Sequence, residues 1–108
     1  MPYNDISAAS VKERLDRSDQ FRLIDVREPS EHATAAVDGA ELLPLSTARE
    51  WLSTLPMDEE LVIMCHHGGR SAQVASYLAD QLGHQNVSNM VGGIDAWSTT
   101  VDAKVPRY

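Results

Sequence analysis

The sequence runs to 108 residues, 43% of them hydrophobic and 23% charged, which suffices for one α/β or α domain and leaves no room for a second core. Sixteen acidic against nine basic residues leave a formal charge of −7, and lysine occurs only at Lys12 and Lys104, so the clustered cations that a nucleic-acid backbone demands are missing. No apolar run reaches the roughly 18 residues of a membrane span, MPYNDISAAS lacks a basic-then-apolar leader pattern, and the single cysteine, Cys65, suits a reducing compartment. A cytoplasmic protein with neither nucleic-acid nor membrane partners is expected.

Taken in chain order, the elements alternate. Ser7 is placed to cap a helix over 8–17, with Val11 and Leu15 on one face. Residues 21–26 (FRLIDV) read as a buried strand. Pro29 breaks that run, and 28–39 reads as a loop with room for one helical turn. Pro44 limits 41–45 (ELLPL) to a short or edge strand. Ser46 or Thr47 then caps a helix with Ala48, Trp51, Leu52 and Leu55 on its apolar side, ending at Pro56. The most apolar stretch, LVIM at 61–64, is the expected central strand. After HHGGRS, Val74, Leu78 and Leu82 recur every four residues and mark a helix over 71–82, stopped by Gly83. Residues 86–91 (NVSNMV) make a weaker strand, and 92–99 a turn entering a short helix. This alternation predicts an α/β fold, with a central parallel sheet flanked by helices on both faces. With no repeat or linker in view, 1–108 is expected to be one domain. The tail from Thr100 to Tyr108 carries no chemical signal and is expected to wrap it.

The chemistry concentrates where LVIM gives way to the next helix. Cys65 lies at the carboxyl end of the expected central strand, the place where open parallel sheets bind ligands. By position alone, a solitary cysteine is as readily a small buried hydrophobe. The flanking Gly68-Gly69-Arg70-Ser71 decides for a nucleophile. Adjacent glycines let backbone N–H groups turn inward into an anion-binding concavity, to which a helix N-terminus adds a partial positive charge and Arg70 a full one. Such surroundings favour a thiolate. Metal binding by Cys65, His66 and His67 is disfavoured, because adjacent ligands rarely converge and no spaced His or Cys pair completes a tetrahedral set. Asp25 is expected near the carboxyl edge of the sheet, where a lone charge needs a partner. Arg70 is expected to brace the loop against Asp25, with contact to an anionic substrate as its other role. Arg27 and Glu28 read as structural or rim charges, His66 and His67 as residues shaping access, and Trp51 and Trp97 as core.

CHHGGRS, 65–71, resembles the C-x-x-G-x-R-S active-site loop of the rhodaneses, the thiosulfate sulfurtransferases. LIDVREPSEH (23–32) is similar to that family's first motif, AELLPL (40–45) to its short proline-containing strand, and VGGIDAW (91–97) to its closing motif. The resemblance implies a single rhodanese domain with Cys65 as the catalytic residue. It implies that His66, His67, Gly68, Gly69, Arg70 and Ser71 form the substrate and persulfide loop, with Asp25 and Arg27 in support, and that no metal or cofactor is needed. The implied reaction moves a sulfane sulfur from thiosulfate or a similar small anionic donor, through a Cys65 persulfide, to cyanide or a thiol, a thiol-bearing protein included. A persulfide carrier or regulatory sulfur-binding module fed by a partner protein would use the same loop. Phosphatases and arsenate reductases of related folds use a loop one residue longer, and the four residues between Cys65 and Arg70 suit a single sulfur atom better than a tetrahedral oxyanion. One departure is Ala36, where the family usually has histidine; the change is expected at the rim of the site.

Overall fold

The computed structural model describes residues 3–108. Among them, five strands form one parallel sheet: β1 (Asn4–Ser7), β2 (Arg22–Asp25), β3 (Ala40–Leu42), β4 (Leu61–Met64) and β5 (Val87–Val91), in the order β1-β5-β4-β2-β3. The helices are α1 (Ala8–Asp16), α2 (Pro29–Thr34), α3 (Ala48–Trp51), α4 (Gly69–Asp80) and α5 (Gly93–Thr100). None is long and apolar enough to cross a membrane.

The uniform apolarity of β4 follows from its being covered twice. Leu61 and Ile63 join Ile24, Val87, Trp51 and Leu55 and the α4 residues Val74, Ala75 and Leu78 in one buried cluster. Val62 and Met64 join Leu23, Met90, the α1 residues Ala8 and Val11, and the α5 residues Ile94 and Trp97 in the other. The two clusters are the two faces of the sheet, and helices cover both.

Several boundaries differ from the sequence reading, each for a local reason. β1 was not expected, because NDIS is polar and largely exposed. It is held as an edge strand by its parallel register with β5, from Asn4 opposite Ser88 to Ser7 opposite Val91. Ser7 still caps α1, its Oγ accepting from the Ser10 N–H at 3.1 Å. The helical turn for which 28–39 left room is α2, six residues long. Pro29 stands at its first position, where an N–H is not needed, and the Glu28 N–H donates to the Glu31 carboxylate at 2.9 Å. The helix expected after Ser46 shrinks to the four residues of α3 between two 3₁₀ turns. Thr47 does not cap it; its hydroxyl donates to the Pro44 carbonyl at 3.1 Å. α4 starts at Gly69, two residues before the apolar repeat suggested, and ends at Asp80, short of Gly83. Because all pairings are parallel, the segments leaving β2, β4 and β5 emerge at one edge of the sheet, and α4 and α5 begin there.

Candidate active site

Cys65 follows β4 directly and is 1% exposed. Its Sγ accepts from the Gly68 N–H at 3.1 Å, the Ser71 N–H at 3.4 Å and the Ser71 hydroxyl at 3.3 Å. The chain reaches this arrangement by reversing at Gly68, whose φ of 105° lies in the left-handed region; a Cβ there would stand 3.2 Å from the Gly92 nitrogen. Gly69 is already helical, with open space around it. Of the two glycines, only Gly68 makes the turn. The first turn of α4 thus delivers Ser71 to the sulfur, and positive partial charge from two N–H groups and one O–H converges on Sγ.

The loop is also gripped from behind by α5. Ile94 donates its N–H to the Cys65 carbonyl at 2.8 Å, and Asp95 donates to the His66 carbonyl at 3.1 Å. So close an approach leaves no space for a side chain at Gly93, where a Cβ would lie 2.4 Å from the Cys65 oxygen and 2.5 Å from the His66 oxygen. The VGGIDAW segment is therefore the back wall of the loop.

The expected Asp25–Arg70 brace is absent, and each residue has a different partner. Asp25 and Arg27, both fully buried, pair two residues apart at the bend that follows β2, where the Asp25 carboxylate also accepts from the Arg27 N–H at 3.0 Å. Arg27 Nε and Nη2 donate to the Asp25 carboxylate at 3.0 and 2.7 Å, Nη2 also to the Ala35 carbonyl at 2.7 Å, and Nη1 to the Glu31 carbonyl at 3.2 Å and the Tyr108 hydroxyl at 2.8 Å. All five guanidinium protons are engaged, which is how a charge persists here. Arg70 instead forms a two-pronged pair with Glu31 of α2, both contacts at 2.8 Å. That pairing holds the Glu31 carboxyl far below its ordinary value, at about 2, despite partial burial. Glu28, read as a rim charge, accepts from the Ser46 N–H at 3.1 Å.

The tail contributes a residue that the sequence did not flag. The Tyr108 ring stacks on His66 with centroids 3.9 Å apart, and its hydroxyl donates to Glu31 at 3.2 Å. His66, stacked on its other side by the exposed His67, is partly buried; burial, followed by the neighbouring His67, lowers its pKa. His66, His67 and Asp95 each bring one ligand atom to within 4.8 Å of the others, without Cys65. Asp95 is already held by Arg107 at 2.8 Å. Ala36 lines a cleft with Lys12, Trp97 and Val105, and no residue of the sulfur loop lines that cleft. Asn89 was not singled out either: it sits in β5 at 6% exposure and bonds both Ser71 and Gly68.

The rhodanese-like domain is the family whose sequence model matches residues 7–100. The chain belongs to that family. The chain is 33% identical to the thiosulfate sulfurtransferase GlpE of Pseudoalteromonas translucida, over 99% of this chain and 100% of that one. The chain is also 36% identical to the chloroplastic rhodanese-like/PpiC domain-containing protein 12 of Arabidopsis thaliana, over 99% of its own length and only 38% of that protein's. Among solved structures, a rhodanese-related protein from Thermoplasma volcanium matches at a TM-score of 0.77 and 32% identity, covering 96% of both chains.

Proposed function

We propose that the protein is a sulfurtransferase that carries a sulfane sulfur on Cys65. The observation that carries this reading is the convergence of the Gly68 N–H, the Ser71 N–H and the Ser71 hydroxyl on one buried sulfur at the carboxyl edge of the sheet. Those donors favour negative charge at Sγ, the state in which it attacks. The thiolate forms a bond to the outer sulfur of thiosulfate while the sulfur–sulfur bond of the donor breaks, and sulfite leaves with the electron pair. The product, a Cys65 persulfide anion, has the charge of the starting thiolate, so the same donors serve both states. Cyanide or a thiolate then attacks the outer sulfur and returns Cys65 as thiolate. Arg70, committed to Glu31, stiffens the rim of the loop.

Intact-mass measurement after incubation with thiosulfate tests this. Addition of one sulfur atom to the protein, its removal by cyanide, and loss of both with Cys65→Ser are the expected results. A Cys65→Ser protein that still turned over would exclude a covalent intermediate. Loading from a desulfurase but never from free thiosulfate would identify a carrier instead.

A further inference from the structure

An asparagine in the middle of a buried parallel strand is unfavourable unless both halves of its amide are satisfied. Asn89 stands on the α4 side of β5, beside Ile63 of β4 in register. Its Oδ1 accepts from the Ser71 hydroxyl at 2.6 Å, and its Nδ2 donates to the Gly68 carbonyl at 3.3 Å. Both bonds go to the residues that supply the donors on Cys65. The Gly68 contact also fixes the orientation of the amide, so that oxygen, not NH₂, faces Ser71.

Ser71 poses a proton-counting problem. Its hydroxyl lies within reach of two acceptors, Asn89 Oδ1 at 2.6 Å and Cys65 Sγ at 3.3 Å, but has one proton to give. Protonated sulfur resolves the conflict in one way: S–H donates to Ser71 Oγ, and the hydroxyl donates to Asn89. Anionic sulfur resolves it in the other: the hydroxyl turns and donates to sulfur. The serine proton changes direction and is never transferred.

We propose that Asn89 is a positioning residue for Cys65, acting through the Ser71 hydroxyl, which alternates between Asn89 Oδ1 and the sulfur as Cys65 changes between thiol and anion. The inference rests on the reading of Cys65 as a sulfur-transferring nucleophile. Its consequence is that Asn89 Oδ1 gives up the serine proton whenever the sulfur is anionic, so ionisation of Cys65 requires the rotation of one hydroxyl rather than a rearrangement of the loop.

The test is a double-mutant cycle on thiosulfate-to-cyanide transfer with wild type, Asn89→Ala, Ser71→Ala and the double variant. Asn89→Ala is expected to lower kcat roughly tenfold, and Ser71→Ala, which removes a direct donor to the sulfur, by up to ~10²-fold, each with KM within about twofold of wild type. The double variant is expected to match the worse single one to within about threefold, because the two residues act as one unit. Losses that multiply, or an Asn89→Ala protein with unchanged kcat and only a lower melting temperature, would overturn the proposal. Should Asn89→Ala not fold, Asn89→Val, better suited to a buried strand, replaces it in the cycle. If wild type itself transfers no sulfur, the functional reading fails, and the role of Asn89 is decided by the rate of Cys65 alkylation with iodoacetamide in the same four proteins. There, an Asn89 effect that vanishes in the Ser71→Ala background supports the link, and one that persists undiminished refutes it.

Discussion

Two glycines adjacent in sequence have opposite requirements. Gly68→Ala forces a side chain into the left-handed region and toward the Gly92 nitrogen, a strain of about 1–3 kcal/mol. Gly69→Ala meets open space in a first helical turn and is expected to hold or raise stability, by up to ~1 kcal/mol. Thermal melts of the two variants, with sulfur transfer assayed alongside, check the contrast. The buried pair gives a second prediction. Asp25→Asn leaves Arg27 charged with no counter-ion, and about 3–5 kcal/mol of unfolding free energy is expected to be lost in urea titrations. That Asp25 needed a partner was legible from the apolar run before it. Its true partner was also within reach of the sequence, since Arg27 stands only two residues on, close enough for its N–H to donate to the Asp25 carboxylate as well. Arg70 does not pair with Asp25 because it is claimed by Glu31, on the short helix α2, a residue that carries no signal of its own in the sequence.

At the scale of elements, short apolar runs located β2, β4 and β5, which are buried on both faces of the sheet, and a repeating apolar face located α1 and α4. The apolar pattern missed β1, whose side chains are polar and whose place depends on backbone pairing. It lengthened α3, because apolar residues spaced for a helix also suit the 3₁₀ turns around it. The site was legible in its centre and not at its margins: the loop 65–71 announced itself, whereas Asn89, Glu31 and Tyr108 reach it from three distant segments. α2 is tied to the loop through Arg70–Glu31, and this tie has a defined pH range. Glu31 is charged in the fold down to about 2, whereas an unpaired glutamate takes up its proton near ~4.3. The stabilisation is therefore complete above the unfolded value and is lost as pH falls through the folded one. Glu31→Gln is expected to lower stability at neutral pH by roughly 1 kcal/mol and to flatten its fall between about pH 5 and 2. Denaturant titrations across that range provide the measurement.

Over the whole molecule, acid sensitivity has a second source. His84 is buried with no partner for Nδ1 among the described residues, and burial lowers its pKa; His66 is lowered chiefly by burial as well. Both stay neutral in the fold at pH values where the unfolded chain, with histidines near ~6.5, takes up protons. Stability must fall as pH drops below that point and level off once the folded values are passed. His84→Leu removes one such group without breaking a side-chain bond. It is expected to reduce the loss of melting temperature between about pH 7 and 5, and a steeper loss would contradict the assignment. The layered architecture itself was readable, because alternating strands and helices leave one economical way to bury both sheet faces. Within these 108 residues there is one thiol, and it is almost wholly enclosed. A persulfide on Cys65, as proposed above, would thus have no second cysteine in this sequence with which to close a disulfide and expel hydrosulfide. On the proposed reading the charged form would wait for an acceptor from outside, and its dwell time would report the balance of supply and demand around the molecule more than any property of the fold.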